Sequence, residues 1–144
     1  MAHVERDIFI QASPEAVMDY AGNPANTPDW YEGVVETHAD FDAPVVGGKI
    51  QQVYTAAGVR MEMTLTIAEY EPNQNLTFEM DGMVTGTYRW DYIPEGDGVR
   101  VKGTVDYEMR GGALGQIADK LVVERMNVSQ MEKSLQNLKA KVEG

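Results

Sequence analysis

The chain has 144 residues, no cysteine, and 23 acidic against 12 basic side chains, a formal net charge of −11. That length suits one domain with a sizeable core, and the lack of cysteine removes any disulfide framework, thiolate nucleophile or cysteine–zinc site. The acidic balance opposes nucleic-acid binding and adhesion to anionic membranes, both of which use clustered Lys and Arg.

The first seven residues mix charges of both signs ahead of any apolar run, unlike a secretory signal. No apolar run approaches the roughly 20 residues of a membrane span, so a soluble cytoplasmic protein is expected. Val4 to Gln11 reads as a strand with Val4, Ile8 and Ile10 on one face and Arg6 among them. Ser13-Pro14-Glu15 is a helix start: a hydroxyl for an orphan N–H, a proline preset for the first turn, and an acid at the positive end of the dipole. This helix runs to about Tyr20, and a second short one runs from Pro24 to Trp30.

From Gly33 to Arg110 the apolar period becomes two. Strands are expected over Val34–Phe41, Lys49–Ala56 and Val59–Tyr70, the last with Met61, Met63, Leu65 and Ile67 on one face. Leu76, Phe78 and Met80 mark a fourth; Gly86, Tyr88, Trp90 and Tyr92 mark a fifth. After the Pro94–Gly98 turn, Val99, Val101, Val105, Tyr107 and Met109 mark a sixth. Short turns imply an antiparallel meander with one solvated face. Beyond Gly111-Gly112, Leu114, Ile117, Leu121, Val128, Met131, Leu135, Leu138 and Val142 repeat at steps of three and four, with Glu124 the missing member. That is a long helix packing on the apolar face of the sheet.

Three stretches carry a family resemblance: Ile10-Gln11-Ala12-Ser13-Pro14-Glu15-Ala16-Val17; Asn23-Pro24 with Asp29-Trp30 and Gly33-Val34; and Leu135-Gln136-Asn137-Leu138-Lys139. In order and spacing they resemble the START-like, or SRPBCC, superfamily and its polyketide cyclase/dehydrase-like branch. The resemblance implies an α+β helix-grip fold: a curved antiparallel sheet of six to seven strands around a long C-terminal helix, two short helices after the first strand, and a cavity between sheet and helix. It implies function only broadly, since such proteins bind lipids, sterols, polyketides or hormones, and some cyclise substrates or serve as subunits.

Eight methionines besides Met1, several on apolar strand faces beside Tyr54, Tyr88, Trp90, Tyr92 and Tyr107, read either as ordinary core or as a pliable cavity wall. A dry void of about 300 Å³ would cost roughly 7 kcal/mol by the truncation scale, against the about 5–15 kcal/mol a domain has in total. A pocket here is therefore filled, or partly collapsed by methionines. The expected lining is Trp30, Tyr54, Met61, Met63, Phe78 and Met80 with Tyr88, Trp90, Tyr107 and Met109 from the sheet, and Leu114, Ala118, Leu121 and Arg125 from the helix. Trp30 either caps the mouth or packs its helix down.

The resemblance also implies inward arginines and tyrosines in any cyclase. Arg60, Arg89, Arg100 and Arg110 fall on the solvated strand parity; Arg6 and Arg125 are the exceptions. Arg125 reads either as an anchor for an acidic or carbonyl-bearing ligand head, or as a residue at the cavity mouth or paired with Glu124 or Asp119, and Arg125, Tyr88 and Tyr107 are the catalytic candidates. The two histidines, His3 and His38, have no ligand-set spacing, so no metal is expected, nor any cofactor. The reading is a binder of a small hydrophobic ligand, with no nucleic-acid partner. A cyclase/dehydrase-like enzyme and a non-catalytic subunit are the alternatives, and homodimerisation through outward threonines is open.

Overall fold

Alternation of apolar and polar residues, cleanest in the strand that carries Met61 to Ile67, builds the sheet. The computed structural model describes residues 2–56, 58–109 and 120–144, with only the backbone described at residues 56, 109 and 120–123. In chain order it contains β1 (Ala2–Ile10), α1 (Pro14–Ala21), a 3-10 turn (Pro24–Asn26), α2 (Thr27–Trp30), β2 (Val34–Ala39), β3 (Lys49–Ala56), β4 (Val59–Glu71), β5 (Asn75–Gly82), β6 (Val84–Glu95), β7 (Gly98–Met109) and α3 (Lys120–Glu143). The strands form one antiparallel sheet in the order β1-β7-β6-β5-β4-β3-β2. Strands β2 to β7 neighbour one another in chain order, and β1 pairs with β7 at the far edge. The expected α+β architecture with seven strands and a C-terminal helix is the one observed.

The caps act as their residues dictate. Ser13 Oγ accepts from Ala16 N at 3.1 Å, and Asn23 Oδ1 accepts from Ala25 N at 3.1 Å. On β4, Met61, Met63, Leu65 and Ile67 are buried while their neighbours face outward. They meet Met131, Leu135 and Leu138 of α3, all at most 2% exposed, in one core. The helical stripe is thus seen from Val128 onward; Leu114 and Ile117 lie outside the described residues, and of Leu121 only the backbone is described.

Curvature has local causes. Irregularities between Val34 and Glu36, and between Ile67 and Glu69, shift the register and bend β2 and β4. Gly86 in β6 has φ +141°, and a Cβ there would stand 1.9 Å from Asp106 O of β7. Gly103 of β7 leaves room for the ring of Trp90, whose Cζ3 would be 2.7 Å from a Cβ.

The outward parity carries the charge as interleaved pairs: Arg60–Glu36 at 3.4 Å, Arg89–Asp91 at 3.1 Å and Arg100–Asp7 at 2.7 Å. Such exposed pairs contribute little stability each, but they keep the face soluble. Arg6, on the parity of Val4 and Ile10, is exposed and reaches across to Glu132 of α3 at 3.0 Å. The arginine expected inside is thus a strap between sheet and helix.

Candidate functional site

Two chambers lie between the concave sheet face and the helices. The outer one, about 60 Å³, has an apolar wall of Met61, Met63, Met80, Val84 and Val105 from β4 to β7. Its other wall is polar but uncharged: Tyr54 and Gln52 of β3, Tyr88, Tyr107, Tyr31 and Asn127. The strand period puts these residues on one face. Tyr54 pairs with Met61 and Gln52 with Met63 across β3–β4, and Tyr88 pairs with Val105 across β6–β7.

Hydrogen bonds order the polar wall. Tyr54 Oη donates to Asn127 Oδ1 at 2.9 Å and also contacts Gln130 Oε1. Asn127 Nδ2 donates to Tyr107 Oη at 2.8 Å, and Tyr88 Oη donates to Tyr31 Oη. A hydroxyl holds one proton. The proton of Tyr54 is used within this chain of bonds. That of Tyr107, which accepts from Asn127, has no acceptor among the described residues, and one proton of the Tyr31–Tyr88 pair is likewise left over. The Gln52 amide also has no side-chain partner among the described residues.

Burial pushes every one of these phenols upward: Tyr31 to about 12, Tyr54 and Tyr88 well above the ordinary 10, and Tyr107 in the same direction. At neutral pH they are uncharged donors. Because the folded pKa of Tyr31 exceeds its unfolded value of 10.0, its contribution to stability is full below pH 10 and is lost as pH rises through about 12. The expected result is alkaline unfolding within that window, with tyrosinate absorbance and loss of far-ultraviolet ellipticity appearing together. Absorbance rising to completion at pH 10 on an intact fold would contradict the burial of this cluster.

The inner chamber, also about 60 Å³, lies toward the short helices, among Trp30, Phe78, Trp90, Ile50 and Leu65. Tyr31, Gln52 and Tyr88 belong to both chambers and form the partition. Trp30 meets Trp90 and Tyr31 edge-on, each at 5.5 Å, and Tyr88 stacks on Trp90 at 5.0 Å. Trp30 is 3% exposed, and its Nε1 is the one buried side-chain polar atom without a partner among the described residues.

The expected lining residues divide accordingly. Tyr54, Met61, Met63, Met80, Tyr88 and Tyr107 come together in the outer chamber, while Trp30, Phe78 and Trp90 border the inner one. Leu114 and Ala118 lie outside the described residues, and the side chains of Met109 and Leu121 are not described. Arg125 is exposed and lines neither chamber; at 100° per residue it lies about 120° around the helix from Met131. Tyr31, Gln52 and Asn127 were not expected. One signal for Asn127 was present: Asn127, Gln130, Ser134 and Asn137 recur at steps of three and four beside the apolar stripe. All four bond across the interface, Gln130 Nε2 to Thr55 O at 3.3 Å, Ser134 Oγ from Glu32 N at 2.8 Å, and Asn137 Nδ2 to Trp30 O at 3.1 Å.

No group of three or more potential ligand side chains is gathered for a metal among the described residues. No described helix is long and apolar enough to cross a membrane.

A sheet gripping a helix around paired chambers defines a ligand-binding SRPBCC fold. The chain belongs to the polyketide cyclase/dehydrase and lipid transport family, whose model matches residues 1–143. Its fold is similar to that of a Thermus thermophilus protein, with a TM-score of 0.82 and 22% identity over 98% of this chain and 97% of the other. It is also similar to the ZhuI aromatase/cyclase of a Streptomyces species, with a TM-score of 0.82 and 13% identity over 99% and 93% of the two chains. The di-domain aromatase/cyclase StfQ of steffimycin biosynthesis aligns with a TM-score of 0.77 and 14% identity, over 98% of this chain and 50% of that one. No curated protein matches the chain in sequence.

Proposed function

We propose that the protein binds a small, largely apolar molecule in the outer chamber and holds an acceptor oxygen of that molecule with tyrosine hydroxyls. The observation that carries this reading is the count of protons. Tyr107 and the Tyr31–Tyr88 pair each leave a hydroxyl proton without an acceptor among the described residues, opposite a wall of methionine and valine. A ligand carbonyl or ether oxygen satisfies such donors, whereas a cation would find no carboxylate among the described lining residues. The charge of −11 then serves solubility from the outer face.

The chamber at about 60 Å³ is smaller than the roughly 150 Å³ that admits benzene in an engineered cavity, so binding requires the methionine side chains to move. Native mass spectrometry tests the reading. The wild type should retain an apolar, oxygen-bearing adduct, and Val84→Trp, which fills the chamber, should lose it. An adduct retained equally by both proteins would place binding elsewhere.

A second reading is cyclase/dehydrase-like catalysis, favoured by the same hydroxyl donors. Donors aimed at a carbonyl stabilise a developing enolate, and phenols with raised pKa values act as acids rather than bases. Turnover of a poly-β-ketone would support it.

A further inference from the structure

We propose that the inner chamber is a second subsite, in which Trp30 Nε1 donates to a carbonyl or hydroxyl oxygen of a ligand whose apolar body spans both chambers. This rests on the outer-chamber reading above and adds a second polar contact to it. Trp30 is held by both flanks. Its carbonyl accepts from Asn137 of α3, and its ring stands edge-on to Trp90 and Tyr31. Its indole N–H is fully buried and borders a chamber, yet meets no oxygen or nitrogen among the described residues. Ring faces nearby are much weaker acceptors than a carbonyl. A buried donor left without an acceptor is destabilising, so a site that retains one gains by receiving an oxygen.

Size leads to the same arrangement. Each chamber holds about 60 Å³, too little for one aromatic ring, and the two are divided only where Tyr31, Tyr88 and Gln52 line both. Tyr31 sits at the C-terminal cap of α2, outside any strand, so it is the movable half of the partition, whereas Tyr88 is fixed in β6 and stacked on Trp90. Parting the Tyr31–Tyr88 hydrogen bond joins the chambers into one cleft. Its apolar walls have hydroxyl donors at one end and the indole N–H at the other. The ligand class this fits is a flat, apolar molecule with acceptor oxygens at two separated positions.

Trp30 and Trp90 are the two tryptophans, so a ¹⁵N-indole spectrum resolves the donor directly, with Trp30→Phe as the assignment. Acetophenone and ethylbenzene serve as probes that differ in the carbonyl. The expected result has acetophenone, but not ethylbenzene, moving the Trp30 indole proton downfield. Acetophenone should also bind about tenfold tighter than ethylbenzene, and Trp30→Phe should cut that preference severalfold, to the part owed to the tyrosine hydroxyls. If Trp30→Phe does not fold, the wild-type indole response decides. Acetophenone shifting the methyls of Met61, Met63 and Met80 while the Trp30 indole stays in place would overturn the second subsite and leave outer-chamber binding standing. No response of either set to either probe would overturn both.

Discussion

Met80→Ala is expected to lower the unfolding free energy by about 2–5 kcal/mol and at the same time to tighten binding of an aromatic ketone. Met80 is 8% exposed and belongs to the outer-chamber wall opposite the tyrosines. Truncation removes buried contacts, which accounts for the loss. It also enlarges a chamber too small for a ring, which accounts for the gain, because the wild type must move a side chain to admit the same molecule. Leu138→Ala is the control. Leu138 is fully buried on α3 and lines neither chamber, so it should lose similar stability and gain no affinity. Denaturant titration gives the first quantity and calorimetric titration with acetophenone the second. Equal loss without any difference in binding would mean that Met80 is ordinary core.

Gly86→Ala should be at least as severe, costing about 3 kcal/mol or more. Two effects add. A φ of +141° is a conformation that side-chain-bearing residues rarely adopt, and the new Cβ would stand 1.9 Å from Asp106 O, a backbone atom that cannot swing aside. β6 and β7 would have to separate locally, where Gly86 pairs with Tyr107 and Met80. The variant should therefore unfold earlier in denaturant and also lose the chamber. Near wild-type stability would show that the bend at Gly86 is not required for the sheet to close on α3.

The sheet was legible because period two is a strong signal when one face is buried. Leu65 and Ile67 of β4, or Val99 and Val101 of β7, could face only inward. The cap at Ser13 was legible for an equally local reason. Arg6 misled because parity fixes the face of a strand but not the reach of a long side chain, and its guanidinium leaves the edge for Glu132. The polar wall was missed in part because Asn127 and Gln130 look like solvated helix residues one at a time. Only their spacing with Ser134 and Asn137 marks a face, and only the fold shows what that face meets. Tyr31 had no periodic signal at all, since it sits in the turn between α2 and β2 and enters the site through the aromatic cluster.

The central claim is that the methionine–tyrosine chamber is the ligand site. The most direct measurement is a ¹³C-methyl-methionine spectrum of the whole protein titrated with acetophenone. Saturable shifts confined to Met61, Met63 and Met80, with Met18 and Met131 unmoved, are the predicted result. Saturable binding that leaves those three methyls in place would contradict it.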